Sequence, residues 1–115
     1  MNILITGGAG FIGSALVRYL LTNTDHNIVN IDKLSYAGNL ESIPNELITD
    51  KYSFFNCDIC DKDNLDKIIK DFCPNIIFHL AAESHVDRSI ESPNIFIQTN
   101  ILGTFNILNS SLKLI

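Results

Sequence analysis

Residues 3–13 read ILITGGAGFIG, an apolar run that leads directly into a cluster of glycines. The run predicts a β-strand over 2–6, and the pattern beyond the glycines predicts a helix over 11–23. Glycine permits a tight turn between the two elements and lets a phosphate approach the main-chain N–H groups. A strand, a glycine turn and a helix in this order therefore predict a binding site for a dinucleotide pyrophosphate.

Two registers of the glycines fit such a site. Gly7, Gly10 and Gly13 form one set, and Gly8 replaces Gly7 in the other, so the sequence leaves the first glycine open. Both registers place the phosphates at the helix N-terminus, where the helix dipole is positive. The predicted helix also has an apolar stripe at helical spacing that we expect to face the sheet, made of Ile12, Ala15, Leu16, Tyr19 and Leu20.

An acidic residue ends the second predicted strand, where Asp32 follows the mostly apolar residues 28–31. An acid about 20 residues beyond the glycine motif is where a ribose diol is hydrogen-bonded, and its charge would repel a 2′-phosphate. Asp32 thus favours NAD over NADP, although the adjacent cation Lys33 works against that preference. A turn or cap role for Asp32 is the alternative.

Length and charge limit the function classes. The 115 residues suit one domain with a modest core, but not a nucleotide domain plus a substrate domain. A net charge of −5 argues against a nucleic-acid surface and against binding to anionic membranes. The sequence has no signal-peptide pattern and no apolar run of membrane-spanning length, so we expect a cytoplasmic protein.

The three cysteines are expected to be reduced thiols. Cys57 and Cys60 form a C-x-x-C, but the sequence lacks the second pair that a structural metal site would need. We therefore expect neither a metal nor a redox function from them.

Beyond residue 32 the chain continues to alternate strands and helices. We expect an irregular connection over 33–51, a strand over 53–57, an apolar strand over 76–80 and a final helix from Pro93 to the last residues. A helix between the last two strands begins after an Asp61 cap and ends at Pro74. The apolar residues that define these helices are Leu65, Ile68, Ile69 and Phe72 in the first, and Ile97, Ile101, Phe105, Leu108 and Leu112 in the second.

This alternation predicts an α/β fold, a Rossmann-like doubly wound parallel sheet with four strands in the order 3-2-1-4. The fourth strand would then lie at an edge, although so apolar a strand normally lies inside a sheet. We therefore expect its partner further along a longer polypeptide. Residues 1–115 would be the N-terminal part of an NAD-binding Rossmann domain, without a substrate domain.

Polar residues follow the third and fourth strands, at the sheet edge where open α/β folds bind ligands. After the third strand, Asp58 can accept the adenine amino group while Ile59 packs on the ring, or Asp58 can cap the next helix. After the fourth strand, residues 80–89 combine small and polar side chains, and His85 and Asp87 among them lack a third partner for acid–base or metal chemistry. His79 is expected to be a core residue.

Several of these segments resemble the N-terminal part of the extended short-chain dehydrogenase/reductase family, and among its members the dTDP-glucose 4,6-dehydratases. The resemblance covers essentially the whole chain. The glycine motif over 6–14 is shared by all extended members, whereas LSYAGNL at 34–40 and AAESHVDRS at 81–89 are close to diagnostic for the dehydratases. The other matching segments are 30–33, 58–61, 79–90 and 99–104.

The resemblance implies a set of NAD-binding residues. Phe11 and Ile12 would lie at the pyrophosphate, Asp58 and Ile59 at adenine, and Ser84 would touch both the cofactor and the sugar-nucleotide substrate, dTDP-glucose. The full cofactor set is Gly7, Gly10, Phe11, Ile12, Gly13, Asp32, Lys33, Leu34, Ser35, Asp58, Ile59, Leu80, Ala81, Ala82, Glu83, Ser84 and Thr99.

The resemblance also implies a reaction and a homodimer. In this family NAD removes a hydride from C4 of the glucose, water is lost across C5 and C6, and the hydride returns to C6. The family's catalytic Tyr-x-x-x-Lys pair is absent here, because Tyr19, Tyr36 and Tyr52 have no lysine four residues later. We therefore assign no catalytic residue and expect this chain alone to be inactive. A nucleotide-sugar epimerase and a non-catalytic nucleotide-binding module are the alternatives.

Overall fold

A computed structural model describes residues 1–33, 43–81 and 93–114, without the side chains of residues 95, 96 and 99. Four parallel strands form its sheet: β1 (Asn2–Thr6), β2 (Asn27–Asp32), β3 (Tyr52–Asn56) and β4 (Ile76–His79). Their order is β3-β2-β1-β4, which confirms the prediction from the sequence. The central strands β1 and β2 are adjacent and parallel, so their carboxyl ends both lie at the glycine turn.

The helices follow the expected alternation. Helix α1 spans Phe11–Asn23, a 3₁₀ turn spans Asn45–Leu47 and helix α2 spans Lys62–Phe72. The final helical run consists of α3 (Pro93–Ile97), a π-helical segment (Gln98–Gly103) and α4 (Thr104–Leu112). The backbone stays helical at both junctions, so the long final helix is confirmed, but its π segment was not predicted.

Helix α2 begins and ends as its sequence predicts. The Asp61 side chain accepts a hydrogen bond from the Asn64 amide (3.4 Å), which confirms the predicted cap. At the other end, Cys73 adopts a left-handed conformation (φ 51°) before Pro74, which cannot continue a helix. The face formed by Leu65, Ile68 and Ile69 is buried, as expected.

Helices cover both faces of the sheet, and each face has its own core cluster. On one face, α2 and α4 pack over Leu4, Val29 and Ile31. On the other face, α1 packs through Val17 and Leu20 onto alternate residues of the same strands. Two covered faces make the fold doubly wound, and they require β1 and β2 to be apolar on both sides.

The predicted sheet-facing stripe of α1 is wrong in part. Ile12 is 71% exposed and Tyr19 62% exposed, and Ala15 is also exposed, while the buried residues are Gly13, Ser14, Val17 and Leu20. The close approach of Gly13 to the glycine turn sets this rotation: a Cβ on Gly13 would lie 2.0 Å from the Gly7 carbonyl oxygen. Residues four and seven positions after Gly13 therefore face the sheet.

The apolar residues that predict the final helix are not its buried residues. Ile97, Ile101, Phe105, Leu108 and Leu112 are all exposed. The buried face instead contains Gly103, Asn106, Ile107 and Ser110. Polar contacts explain why this face is buried. The Asn106 side-chain amide donates to the Ile59 carbonyl (3.0 Å), and the Ser110 hydroxyl donates to the Asp66 carboxylate.

Strand β4 lies at one edge of the sheet and pairs with β1. Phe78 within it and Leu80 after it remain exposed, which agrees with the expectation of an incompletely covered apolar edge. None of the helices in the described ranges is long and apolar enough to cross a membrane.

Candidate functional site

The glycine turn connects β1 to α1, and its glycines differ in their backbone conformation and in the atoms that surround them. Gly7 has a positive φ of 75°, and a Cβ there would lie 2.7 Å from the Ala81 amide nitrogen. Gly13 packs against the Gly7 carbonyl, whereas a Cβ on Gly10 would meet only that carbonyl, at 3.4 Å. Gly8 faces Asn30 instead. Gly7, Gly8 and Gly13 thus have no room for a side chain, whereas the surroundings of Gly10 are open.

The amides within the turn already have partners. Gly7 N–H donates to the Ile31 carbonyl (2.8 Å), Gly8 N–H to Asn30 Oδ1 (3.0 Å), Ala9 N–H to Asp32 Oδ2 (3.1 Å) and Gly10 N–H to the Gly7 carbonyl (3.1 Å). These bonds fix the turn. They also remove those four amides from the donors that a ligand would use.

The first turn of α1 differs from the glycine turn in its hydrogen bonds. The first α1 amide with a backbone partner is that of Ser14, which donates to the Gly10 carbonyl (2.8 Å). A helix leaves its first N–H groups without intrahelical acceptors, and Gly10 has no side chain that would cap them. Among the described residues no hydrogen bond uses the amides of Phe11, Ile12 or Gly13. N–H groups at the N-terminus of a helix are the donors that suit an anion.

Asp32 lies beside this terminus. It ends β2, which pairs with β1 immediately before the turn, and it is almost fully buried (9% exposed). Its carboxylate accepts the Ala9 N–H, so the acid is held against the glycine turn. Lys33 follows it and is half-buried. The expected pairing of a glycine turn with an acid at the end of the second strand is therefore present.

Asp58 and Ile59 follow β3 on the same edge. The Asp58 carboxylate accepts the Cys60 amide (2.9 Å), and the cap of α2 is Asp61, so Asp58 is not the helix cap. Ile59 is 4% exposed and packs against Gly103 of the π segment. The Ile59 side chain is therefore buried within the protein, and its carbonyl accepts the Asn106 side-chain amide.

His79 joins the ends of β1 and β4 to the final helix. The Thr104 hydroxyl donates to the Asn100 carbonyl (2.9 Å), so it accepts from His79 Nε2–H (2.8 Å). His79 Nδ1 then accepts from the Thr6 hydroxyl (2.6 Å). Burial lowers the pKa of His79 below its ordinary value of 6.5, which agrees with this neutral imidazole. His79 is therefore half-buried and bonded at both ring nitrogens, not a purely apolar core residue.

The same chain of hydrogen bonds reaches residues expected at the cofactor. Thr6 Oγ1 also accepts the amides of Leu80 and Ala81, each at 3.1 Å. Ala81 in turn contacts Gly7 closely. These contacts hold the carboxyl end of β4 against the glycine turn.

The cysteines are free thiols, as expected. Burial, with the nearby Asp61 and Asp58, raises the pKa of Cys57 to about 11. Burial and Asp58 also raise the pKa of Cys60. Within residues 1–33, 43–81 and 93–114, no group of three His, Cys, Asp or Glu side chains is arranged to hold a metal ion.

Some expected site residues fall outside the described part of the chain: Leu34, Ser35, Ala82, Glu83, Ser84, His85 and Asp87. Thr99 is described only as backbone of the π segment. Sequence reasoning missed Asn30, Thr6 and Thr104, which hold the turn and the strand ends. Asn30 alone carried a signal, because it is a polar residue inside an apolar strand.

Comparisons with known proteins show the family of the chain. The family model described as GDP-mannose 4,6 dehydratase matches residues 4–114. The dTDP-glucose 4,6-dehydratase of Neisseria meningitidis is 56% identical over 110 residues, which are 96% of this chain and 31% of that protein. The enzyme of the same name from Salmonella typhimurium is 54% identical over 98% of this chain and 31% of its own length. The chain therefore spans about a third of the curated relatives that it matches.

Solved structures give the same result. A dTDP-glucose 4,6-dehydratase from Streptomyces venezuelae, solved with NAD bound, superimposes with a TM-score of 0.89 at 38% identity, over 99% of this chain and 36% of that chain. A UDP-glucose 4-epimerase from Thermotoga maritima, solved with UDP-glucose, gives a TM-score of 0.88 at 36% identity, over 99% and 35%.

The resemblance noted from the sequence is thus confirmed by curated relatives and by solved structures. Because the family model covers nearly every residue, the chain belongs to the GDP-mannose 4,6-dehydratase family.

Proposed function

We propose that this chain binds NAD at the carboxyl edge of its sheet. The observation that carries the proposal is the set of three amides at the start of α1 that have no hydrogen-bond partner within the described ranges, beside the Asp32 carboxylate. The amides of Phe11, Ile12 and Gly13 suit a pyrophosphate, and Gly10 leaves room for its approach. Asp32 suits the ribose diol and disfavours a 2′-phosphate. The relatives solved with NAD support this assignment.

The remaining contacts of the proposed site come from the other strand ends. Lys33, Leu34 and Ser35 would surround the adenosine ribose, and Asp58 and Ile59 would contact adenine. Residues 80–84 and Thr99 would line the inner half of the cofactor, and Ser84 would also reach the substrate. The described residues that follow β2, β3 and β4 lie at one edge of the sheet, and this shared position supports the proposed contacts with the cofactor.

We further propose that the whole protein is a dTDP-glucose 4,6-dehydratase, as the names of its curated relatives suggest. Bound NAD would supply reversible hydride transfer to and from the sugar. This chain's own residues would bind and orient the cofactor. Because the chain has no Tyr-x-x-x-Lys pair to take the hydroxyl proton, the 115 residues alone would not turn over substrate. A cytoplasmic homodimer that binds neither nucleic acid nor membrane completes this proposal.

A nucleotide-sugar epimerase is the second candidate, since an epimerase superimposes on this chain almost as well as the dehydratase does. Mass spectrometry of the product formed by the full-length protein from dTDP-glucose separates the two. A dehydratase product is lighter by one water, whereas an epimerase product has unchanged mass.

Cofactor binding is tested by isothermal titration calorimetry of the chain with NAD and with NADP. We expect NAD to bind more tightly, and we expect Asp32→Ala to weaken NAD binding and to reduce the difference between the two cofactors. Asp25→Ala is the matched control, because Asp25 is an exposed acid that pairs with Lys51 at the opposite end of β2. Equal affinities for the two cofactors would contradict the assigned role of Asp32.

A further inference from the structure

Asn30 is the most deeply buried polar side chain of β2. It is 0% exposed and lies between the apolar residues Val29 and Ile31 in the middle of the sheet. A buried amide costs free energy unless both of its polar atoms have partners. Its presence in a core strand therefore calls for a specific contact.

Both atoms of the Asn30 amide have one. Oδ1 accepts the Gly8 N–H at 3.0 Å, and Nδ2 donates to the Tyr52 hydroxyl at 3.2 Å. The Gly8 N–H can only donate, so the orientation of the amide is fixed. Tyr52 is the first residue of β3, and burial raises its phenol pKa. Asn30 thus connects an edge strand, a central strand and the glycine turn.

Gly8 and Asn30 fit each other at close range. A Cβ on Gly8 would lie 2.2 Å from Asn30 Oδ1 and 2.4 Å from Asn30 Cγ. Any side chain at position 8 would therefore displace the Asn30 amide from the Gly8 N–H. This contact explains why the chain has a second glycine directly after Gly7.

We propose that Asn30, anchored by Tyr52, is a positioning residue that sets the glycine turn and thereby aims the Phe11, Ile12 and Gly13 amides at the cofactor pyrophosphate. Few residues separate Gly8 from those amides, and the Ala9 N–H is already held by Asp32. Release of Gly8 would leave Asp32 as the one side chain bonded to a turn amide among the described contacts. This inference rests on the proposed binding of NAD.

Calorimetric titration with NAD tests it in four variants of the chain. We expect Asn30→Ala to weaken NAD binding by about tenfold, the effect of losing one buried hydrogen bond. Tyr52→Phe should weaken it by less, because Asn30 still reaches Gly8. Gly8→Ala should weaken it as Asn30→Ala does, and Gly8→Ala combined with Asn30→Ala should be no worse than Asn30→Ala alone, since the clash is then gone.

Two controls separate positioning from general stability. Asn27→Ala removes an exposed asparagine of the same strand, which bonds to Asn2, and should leave NAD affinity unchanged. Ile69→Val lowers the melting temperature through the core of α2, and it should also leave NAD affinity unchanged at a temperature well below melting.

The outcomes are distinguishable. If the parent chain binds NAD and Asn30→Ala binds it equally well, the role of Asn30 is overturned while the proposed function stands. Additive losses in the double variant would also overturn it, because the two residues would then act separately. If the parent chain binds no NAD at any concentration tested, the proposed function fails and this inference fails with it.

Discussion

At the scale of single residues, the glycines of the turn differ in whether a side chain would fit in their place. Gly13 has no room for a side chain, because its Cβ would lie 2.0 Å from a backbone oxygen. Gly10 has ordinary negative φ and an open surround. Two glycines of one motif therefore differ: Gly13 is required for the packing of α1, and we propose that Gly10 leaves space for a ligand.

We predict that alanine lowers mainly the stability of the fold at one of these positions and mainly the affinity for NAD at the other. Gly13→Ala should destabilise the fold by about 2 kcal/mol or more, since backbone must move to relieve the clash. Gly10→Ala should cost no more than about 1 kcal/mol of stability and yet abolish most NAD binding. Urea denaturation and calorimetry measure the two effects. Retained NAD affinity in folded Gly10→Ala would contradict the assignment of the phosphate site.

His79 predicts a pH dependence of stability. Its folded pKa lies below the ordinary 6.5, so the unfolded chain binds a proton in a range where the folded chain does not. The stability from neutral His79 is fully present above pH 6.5 and is lost as pH falls through the folded pKa. Between pH 7 and pH 5 the parent should thus lose stability more steeply than His79→Gln, measured by urea denaturation. Parallel slopes would show that His79 does not titrate in this way.

The residue scale also shows what sequence could and could not predict. The glycine turn, Asp32 and the Asp61 cap were predictable, because each depends on local spacing that a pattern records. The roles of Asn30 and Thr6 could not be predicted, because their partners are distant in sequence. Asn30 bonds to Gly8 and Tyr52, and Thr6 bonds to His79. Contacts between distant parts of the chain leave no local pattern.

At the scale of elements, the strands and helices were predictable but the orientation of two helices was not. Apolar spacing correctly predicted α1 and the final helix. The buried face was predicted wrongly for the final helix and wrongly in part for α1, because close glycine contacts and buried polar bonds outweigh side-chain hydrophobicity there. In each helical run a glycine, Gly13 or Gly103, packs so closely against its neighbour that a Cβ would not fit without a shift.

Gly103 gives an element-scale prediction. A Cβ there would lie 2.4 Å from Ile59 Cδ1, so Gly103→Ala should destabilise the fold by about 1–3 kcal/mol. Ile59→Val removes the Cδ1 atom and should partly rescue Gly103→Ala. A cycle of the two single variants and the double variant, measured by urea denaturation, gives the coupling. Strict additivity would mean that the π segment does not pack on Ile59 as described.

At the scale of the whole molecule, the described surface has uncovered apolar regions. Phe105, Leu108 and Leu112 lie exposed on α4, and Phe78 lies exposed on the edge strand β4. Contiguous apolar surface of this kind promotes association. The chain spans about a third of its curated relatives, whose remaining length is available to cover such surfaces.

We predict that the 115-residue chain self-associates with increasing concentration. Phe105→Glu and Leu108→Glu should shift it toward monomer in sedimentation velocity, because a charge on that face opposes burial. Lys67→Glu on the exposed side of α2 is the control and should leave association unchanged. A chain that stays monomeric at every concentration would contradict this expectation.

The central claim is that the first turn of α1 holds the cofactor pyrophosphate beside Asp32. Titration of ¹⁵N-labelled chain with NAD, followed by two-dimensional NMR, tests it most directly. We predict saturable shifts that are largest for the Phe11, Ile12 and Gly13 amides, with little change at Lys67 and Asp71, which line a cleft between α2 and the amino ends of β2 and β3. Shifts concentrated at that cleft, or no saturable shift at the α1 amides, would contradict the account.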